Sequence, residues 1–193
     1  MVIRTLATLS LAILVAGGPG AAENPRVLVQ TDIGDILLEV DVAGAPITAA
    51  NFLRYVDAGL YDGTAFHRTV TLDNQPNDAV RIEVIQGGIL PGDKSFPPIA
   101  HETTDRTGIK HAGGAVSMAR SLPGTATSSF FICINDQPEL DYGGRRNPDG
   151  QGFAAFGRVI SGMDVVRKIQ MRPAEGQNLI PPVGIRSVRR VKE

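Results

Sequence analysis

Three short stretches carry the side chains from which chemistry can be built. They are Tyr61-Asp62-Gly63-Thr64-Ala65-Phe66-His67-Arg68, Gln86-Gly87-Gly88 and Ser129-Phe130-Phe131-Ile132. Between them they offer a cation, an amide and an aromatic ring. No metal-ligand set accompanies them: His67, His101 and His111 form no H-x-x-x-H or H-E-x-x-H pair, and His101-Glu102 lacks the second histidine. Ser117 and Ser128 lack the G-x-S-x-G elbow of a hydrolase nucleophile. The doublets Gly87-Gly88, Gly113-Gly114 and Gly143-Gly144 extend to no phosphate-binding pattern and read as turns or close backbone approaches. A fixed cation, an amide and a ring suit a reaction that breaks no covalent bond.

The elements that must position these groups are mostly strands. Val27, Val29 and Thr31 alternate, Asp32-Ile33-Gly34-Asp35 breaks the run, and Ile36, Leu38 and Val40 resume it, which predicts two strands about a turn. Pro46 opens a helix at the position where its missing N–H costs nothing, with Ala49, Phe52, Leu53 and Val56 on one face and Gly59 to end it. From Phe66 to Cys133 the apolar runs are short and separated by Gly, Pro, Asp and Asn clusters, the pattern of a barrel or sandwich. A second helix is predicted from near Met163 to before Pro173, with Val165, Val166 and Ile169 inward. Ile185, Ser187, Arg189 and Val191 close the chain as a weakly alternating strand. The pattern gives an antiparallel β domain with two helices and leaves a closed barrel and an open sheet both open.

Composition narrows the partners. The chain has 193 residues, 42% hydrophobic and 20% charged, which fits one domain with a sizeable core. Its formal charge of −1, with no basic run, provides no field for nucleic acid. The N-terminus reads as an export signal: Arg4 gives a positive start, Leu6 to Val15 is apolar, and Gly20-Ala21-Ala22 offers a cleavage site. That run is shorter than the roughly 20 residues a spanning helix needs, although retention as an anchor is the competing outcome. No cysteine lies near the site to carry a lipid. The expected division is a signal peptide over 1–22 and one domain over 23–193, placing the mature protein in the periplasm or outside the cell, off the membrane. Cys133, the single cysteine, lies in the apolar run Phe130-Phe131-Ile132-Cys133-Ile134 and reads as a core residue.

Eight motifs in order resemble the cyclophilin family of peptidyl-prolyl cis–trans isomerases, over about Val27 to Val191. Asn51-Phe52 and Gly59-Leu60-Tyr61-Asp62-Gly63-Thr64 lead into Phe-His-Arg. Ile85-Gln86-Gly87-Gly88, Val116-Ser117-Met118-Ala119-Arg120 and Ala126-Thr127-Ser128-Ser129-Phe130-Phe131-Ile132 follow, then Leu140-Asp141, Phe156-Gly157-Arg158-Val159 and Gly162-Met163-Asp164-Val165-Val166. The resemblance implies a mainly β fold, a closed eight-stranded antiparallel β-barrel capped by two α-helices. It implies an enzyme with no metal and no other cofactor, working as a monomer on proline-containing polypeptides and assisting their folding. It also implies roles: Arg68, Gln86 and Phe131 catalytic, and Phe66, Met118, Ala119, Arg120, Leu140 and Phe153 in contact with substrate. His67, beside Arg68, reads as structural.

Departures from the family pattern fall around the proline pocket. Phe153 stands where many members carry a histidine, Glu139 where many eukaryotic members carry a tryptophan, and Ser129 where a glutamine is common. Thr69 to Ile85 is longer than usual, with Ile82-Glu83 near the place of a pocket-walling phenylalanine. These changes imply a weaker isomerase, or a proline-peptide-binding module on the same fold as the alternative. The extra length, rich in turn residues from Thr71 to Asp78, is expected to let Phe66–Thr71 and Ala79–Gln86 extend as an arm beside the site.

Overall fold

The computed structural model describes residues 23–88 and 94–191, so the expected signal segment lies outside the described residues. Eight antiparallel strands close into a ring. They are β1 (Arg26–Thr31), β2 (Gly34–Val40), β3 (Ala65–Val70), β4 (Val84–Gly87), β5 (Ala115–Met118), β6 (Phe130–Cys133), β7 (Ala154–Ser161) and the long β9 (Asn178–Arg190). Their order is β1-β2-β7-β5-β6-β4-β3-β9, and β9 returns to pair with β1. The two-residue β8 (Ala174–Glu175) pairs only with β9 and forms a hairpin outside the ring. The closed barrel removes the edges an open sheet would have left.

Alternation sends Val27, Val29, Ile36, Leu38 and Val40 into the barrel, where all are fully buried. Each such side chain contributes roughly 1.5–3 kcal/mol by leaving water. Helix α1 (Pro46–Asp57) buries Ala49, Phe52, Leu53 and Val56 as the pattern predicts, and Asp57 pairs with Arg190 at 2.7 Å near the β9 end of the barrel. The one-turn α2 (Thr104–Thr107) was not anticipated. Helix α3 (Met163–Gln170) buries Val165, Val166 and Ile169, with Val165 against Gly34 at the β1–β2 turn, toward the opposite end. The last strand begins earlier than its alternation suggests, because Pro181-Pro182 interrupts the pattern within β9. Cys133 is buried, and desolvation pushes its thiol far above the ordinary range, which makes it inert.

Ala45 precedes α1 and has no side chain to cap it. Glu102, 54 residues from Thr48, takes over: its carboxylate accepts from Ile47 N at 3.1 Å, and from Thr48 N and Oγ1 at 2.6 Å each. An anion at a helix N-terminus satisfies free N–H groups and complements the helix dipole. Glu102→Ala is expected to cost about 1–2 kcal/mol, seen as a Tm lower by roughly 2–8 °C. An unchanged Tm would mean that water replaces the carboxylate without loss.

Candidate active site

The register of four neighbouring strands divides the motif residues into two rows. Phe66 on β3 stands opposite Gly87 on β4, Gly87 opposite Phe130 on β6, and Phe130 opposite Met118 on β5. This row faces inward, with Phe66, Phe130 and Met118 all in the barrel core. The adjacent row runs Arg68, Gln86, Phe131, Ser117 across the same strands and faces outward. A side chain added at Gly87 would collide with the Phe66 ring. One at Gly88, where φ is +71°, would collide with the rings of Phe130 and Tyr61. The Gln-Gly-Gly motif therefore seats Gln86 outward against an aromatic interior.

Two expected substrate contacts belong to the inner row. Phe66 and Met118 are at most 1% exposed, and neither lines the groove. Met118 follows Ser117 and precedes Ala119, so strand alternation turns it inward. Phe66 lies two residues from Arg68, which in a regular strand would put both on one face. A bulge at His67 shifts the register between them and reverses the parity. His67 itself is half-buried and lies outside the groove lining.

The outward row opens into a cavity of about 120 Å³. Arg68, Gln86 and Phe131 line it, with Ala119, Arg120, Leu140 and Phe153 completing the set expected from sequence. Ile82 and Val84 are additional walls, and Ile82 does supply apolar surface near the place of the missing phenylalanine. Such a volume is well below the roughly 300–1,000 Å³ of sites for drug-sized ligands, so it suits one small apolar side chain. A more open depression of about 500 Å³, lined by Gly113, Asp136, Met163 and Arg167, has no aromatic floor.

Arg68 is gripped from two sides. Its Nη1 donates to Gln86 Oε1 at 2.7 Å, and Nε donates to Gln177 Oε1 at 2.9 Å. Gln86 Nε2 donates to Ser129 Oγ at 2.9 Å, so serine fixes the amide where a longer side chain was anticipated from the family. Burial pulls the guanidinium below its ordinary pKa, nearby Arg146 adds to this, and Asp78 opposes it. It remains a cation at any working pH.

Phe131 meets Phe153 edge-on at 5.2 Å and stacks on His111 at 5.9 Å. Behind it His111 Nδ1 lies 2.8 Å from Asp141 Oδ1, and His111 Nε2 lies 3.0 Å from Ser117 Oγ. That Asp–His–Ser order resembles a hydrolytic triad, but Ser117 is 0% exposed, so no substrate reaches it. The three residues form a polar buttress under the Phe131 ring. Arg120 plays a similar part for Phe153. Its fork binds both oxygens of Asp149 at 2.8 and 2.9 Å and Gly152 O at 2.8 Å, and the guanidinium lies 5.3 Å from the Phe153 ring centre. Its donors thus hold the loop that leads into β7, while its body lines the groove. Ala119 N–H is engaged by Ser129 O at 2.9 Å, so a peptide would meet the Ala119 carbonyl.

The long segment between β3 and β4 corrects a further expectation. The β3–β4 ladder covers only Phe66–Val70 and Val84–Gly87, and residues 71–83 fold into a loop instead of an extended arm. Gln75 is buried in that loop. Its Nε2 donates to Thr71 O at 2.7 Å and Ile82 O at 2.8 Å, and its Oε1 accepts from Ile82 N at 3.1 Å. These three bonds to the backbone of Thr71 and Ile82 satisfy polar groups at the two ends of the loop that an extended ladder would otherwise have paired. Arg146, from the loop after Leu140, binds Val80 O at 2.6 Å and Asp78 at 3.0 Å and ties the segment down.

Titration around the groove sets a pH dependence of stability. Asp149 is held below the ordinary range by its bond to Arg120. For Asp141 burial acts upward, but the bonds from His111 outweigh it and the net direction is down. Desolvation lowers His67 and His101 as well. Groups lowered by folding lose their stabilising effect as pH falls from the unfolded value, roughly 6.5 for His and 3.9 for Asp. Tm is therefore expected to be flat between about pH 7 and 8, to decline gently below about 6.5 and to fall steeply below about 4. It should decline again above about 8.5, where the unfolded chain ionises the thiol that burial keeps protonated in Cys133. Calorimetry across this range checks it, and replacing both histidines by glutamine should remove only the first decline.

Comparison with known proteins agrees with this geometry. The family model described as cyclophilin type peptidyl-prolyl cis-trans isomerase/CLD matches residues 26–190. Peptidyl-prolyl cis-trans isomerase A of Dickeya dadantii is 35% identical over 183 residues, covering 90% of this chain and 88% of that protein. Peptidyl-prolyl cis-trans isomerase B of Escherichia coli is 35% identical over 145 residues, covering 73% and 81% respectively. A solved cyclophilin type isomerase of Cryptosporidium parvum shares the fold, with a TM-score of 0.70 at 22% identity, covering 88% of this chain and 99% of its own. A second structure of that protein, determined in the presence of the dipeptide Ala-Pro, gives a TM-score of 0.69 at 22% identity, covering 87% and 99%. A family match across the whole barrel gives the fixed guanidinium and its small apolar cavity their meaning, and the chain belongs to the cyclophilin-type peptidyl-prolyl cis–trans isomerases and has their activity.

Proposed function

We propose that the outward row Arg68–Gln86–Phe131 performs the rotation about X–Pro bonds. The amide resists rotation because its C–N bond has partial double-bond character, with a barrier of roughly 18–20 kcal/mol. As the bond twists, resonance is lost and electron density returns to the prolyl nitrogen. A guanidinium fixed beside that nitrogen donates to it only in the twisted state, which is differential stabilisation without a covalent intermediate. Phe131, with Leu140, Ile82 and Phe153 around it, forms the seat for the proline ring, and Gln86 orients the backbone next to it. The observation that carries this reading is the cross-strand row itself, which sets cation, amide and ring on one face over one cavity. The solved relative studied in the presence of Ala-Pro supports a proline-containing ligand for such a cavity.

The natural substrates under this reading are proline-containing polypeptides folding outside the cytoplasm, served by a monomer. The support for export is the positively charged start, the apolar run to Val15 and the small residues to Ala22. Among the described residues no helix is long and apolar enough to cross a membrane. Fractionation with N-terminal sequencing tests the location: a periplasmic protein starting at Glu23 is expected, and a membrane-bound chain starting at Met1 would replace secretion by anchoring. Catalysed exchange of a short X–Pro peptide, together with faster refolding of a proline-limited protein, tests the function. Exchange at the background rate would reject it.

A further inference from the structure

Gln177 lies 109 positions from Arg68 in the chain, in the two-residue β8–β9 turn, and no motif includes it. Its Oε1 accepts from both Arg68 Nε, at 2.9 Å, and Arg68 Nη2, at 2.5 Å. A guanidinium has five N–H groups in a rigid plane. Gln177 takes two on one edge and Gln86 takes one at Nη1, which leaves one on each terminal nitrogen for a ligand. Both partners are neutral amides. They fix the plane while leaving the full positive charge to act on the substrate. A carboxylate in either place would hold the same geometry and cancel part of the field.

The orientation of Gln177 is itself held. Its Nε2 lies 3.3 Å from Asn74 O, which requires the oxygen to face the guanidinium. Asn74 binds Thr69 O at 3.0 Å and Gly176 O at 3.1 Å through Nδ2, and accepts from Thr71 N at 2.9 Å. Thr69 N donates to Gln177 O at 2.9 Å. The long segment after β3 and the hairpin outside the barrel thus lock together around one glutamine, and that glutamine grips one arginine.

We propose that Gln177 is a positioning residue for isomerisation, setting the plane of the Arg68 guanidinium without touching the substrate. The proposal rests on the reading of Arg68 as the cation that meets the prolyl nitrogen. Misplacing a reacting group by about 1 Å can cost roughly 10²-fold.

The test uses Gln177→Met, which keeps length and shape but removes the acceptor, beside Gln177→Glu and Arg68→Ala. Rates of bound-peptide exchange and peptide Kd are measured by NMR, and the Arg68 Nε–H signal is assigned by its loss in Arg68→Ala. Gln177→Met is expected to slow exchange by roughly 10–100-fold with Kd changed by less than about two-fold, and to expose the Nε–H to solvent exchange. Gln177→Glu keeps the acceptor, so the Nε–H stays protected and the rate exceeds that of Gln177→Met. An undiminished rate in Gln177→Met alongside a slow Arg68→Ala overturns the proposal, as does a loss expressed wholly in Kd. Undiminished exchange in Arg68→Ala would instead reject the reading of Arg68 beneath it. If Gln177→Met does not fold, Gln177→Glu decides: a protected Nε–H supports the positioning role, and an exposed one at undiminished rate removes it.

Discussion

Arg68→Ala is expected to lower prolyl isomerisation by roughly 10²–10³-fold, the usual cost of removing one preorganised donor aimed at developing charge. The loss should lie in turnover. The ground-state amide nitrogen shares its lone pair with the carbonyl and accepts poorly, so the guanidinium gains its bond only as the peptide twists. Peptide affinity rests on the apolar seat formed by Phe131, Leu140 and Ile82, which the substitution leaves in place. Arg68→Lys should recover little, because a single ammonium cannot satisfy Gln86 on one side and Gln177 on the other. Exchange measured on a short X–Pro peptide, with affinity measured separately, checks both. A rate within a few-fold of the unaltered protein would leave the groove as a binding site without this catalyst.

Strand pairs and helices were legible wherever one face is apolar and the other is not. The β1–β2 turn, the buried faces of α1 and α3 and the burial of Cys133 all follow from local period and composition. Barrel closure was not legible from period, because the β1–β9 pairing joins the two ends of the domain; it came from the resemblance. The site was legible as motifs in order, but its assembly depends on register between distant strands. Phe66 shows the limit most clearly. Its spacing from Arg68 suggests a shared face, and only the bulge at His67 separates them. Turn chemistry between Thr71 and Asp78 was visible, whereas the inward fold of Gln75, which makes a loop of an expected arm, depends on contacts with Ile82. Glu102 and Gln177 act across 54 and 109 positions, and no local signal marks either one.

Adjacent phenylalanines on β6 should give opposite phenotypes. Phe130 points into the barrel and packs edge-on against Phe52, Tyr61 and Phe66 at 5.4–5.8 Å. Phe130→Ala is expected to cost about 3–5 kcal/mol of stability, lowering Tm by roughly 6–20 °C. At temperatures where the variant stays folded, the outward row is intact and most activity should remain. Phe131 faces the groove and belongs to a second, smaller cluster with Leu140, Ile82 and Val84. Phe131→Leu keeps that cluster apolar but removes the flat ring between Phe153 and His111. It should lower kcat/KM by roughly 10-fold or more through weaker seating of proline, with a smaller change in Tm. The pair separates the two rows by experiment: the register requires the larger stability loss at Phe130 and the larger activity loss at Phe131. A reversed order would mean that β6 is set one residue out of this register, which would carry Gln86 and Arg68 away from the ring they are meant to serve.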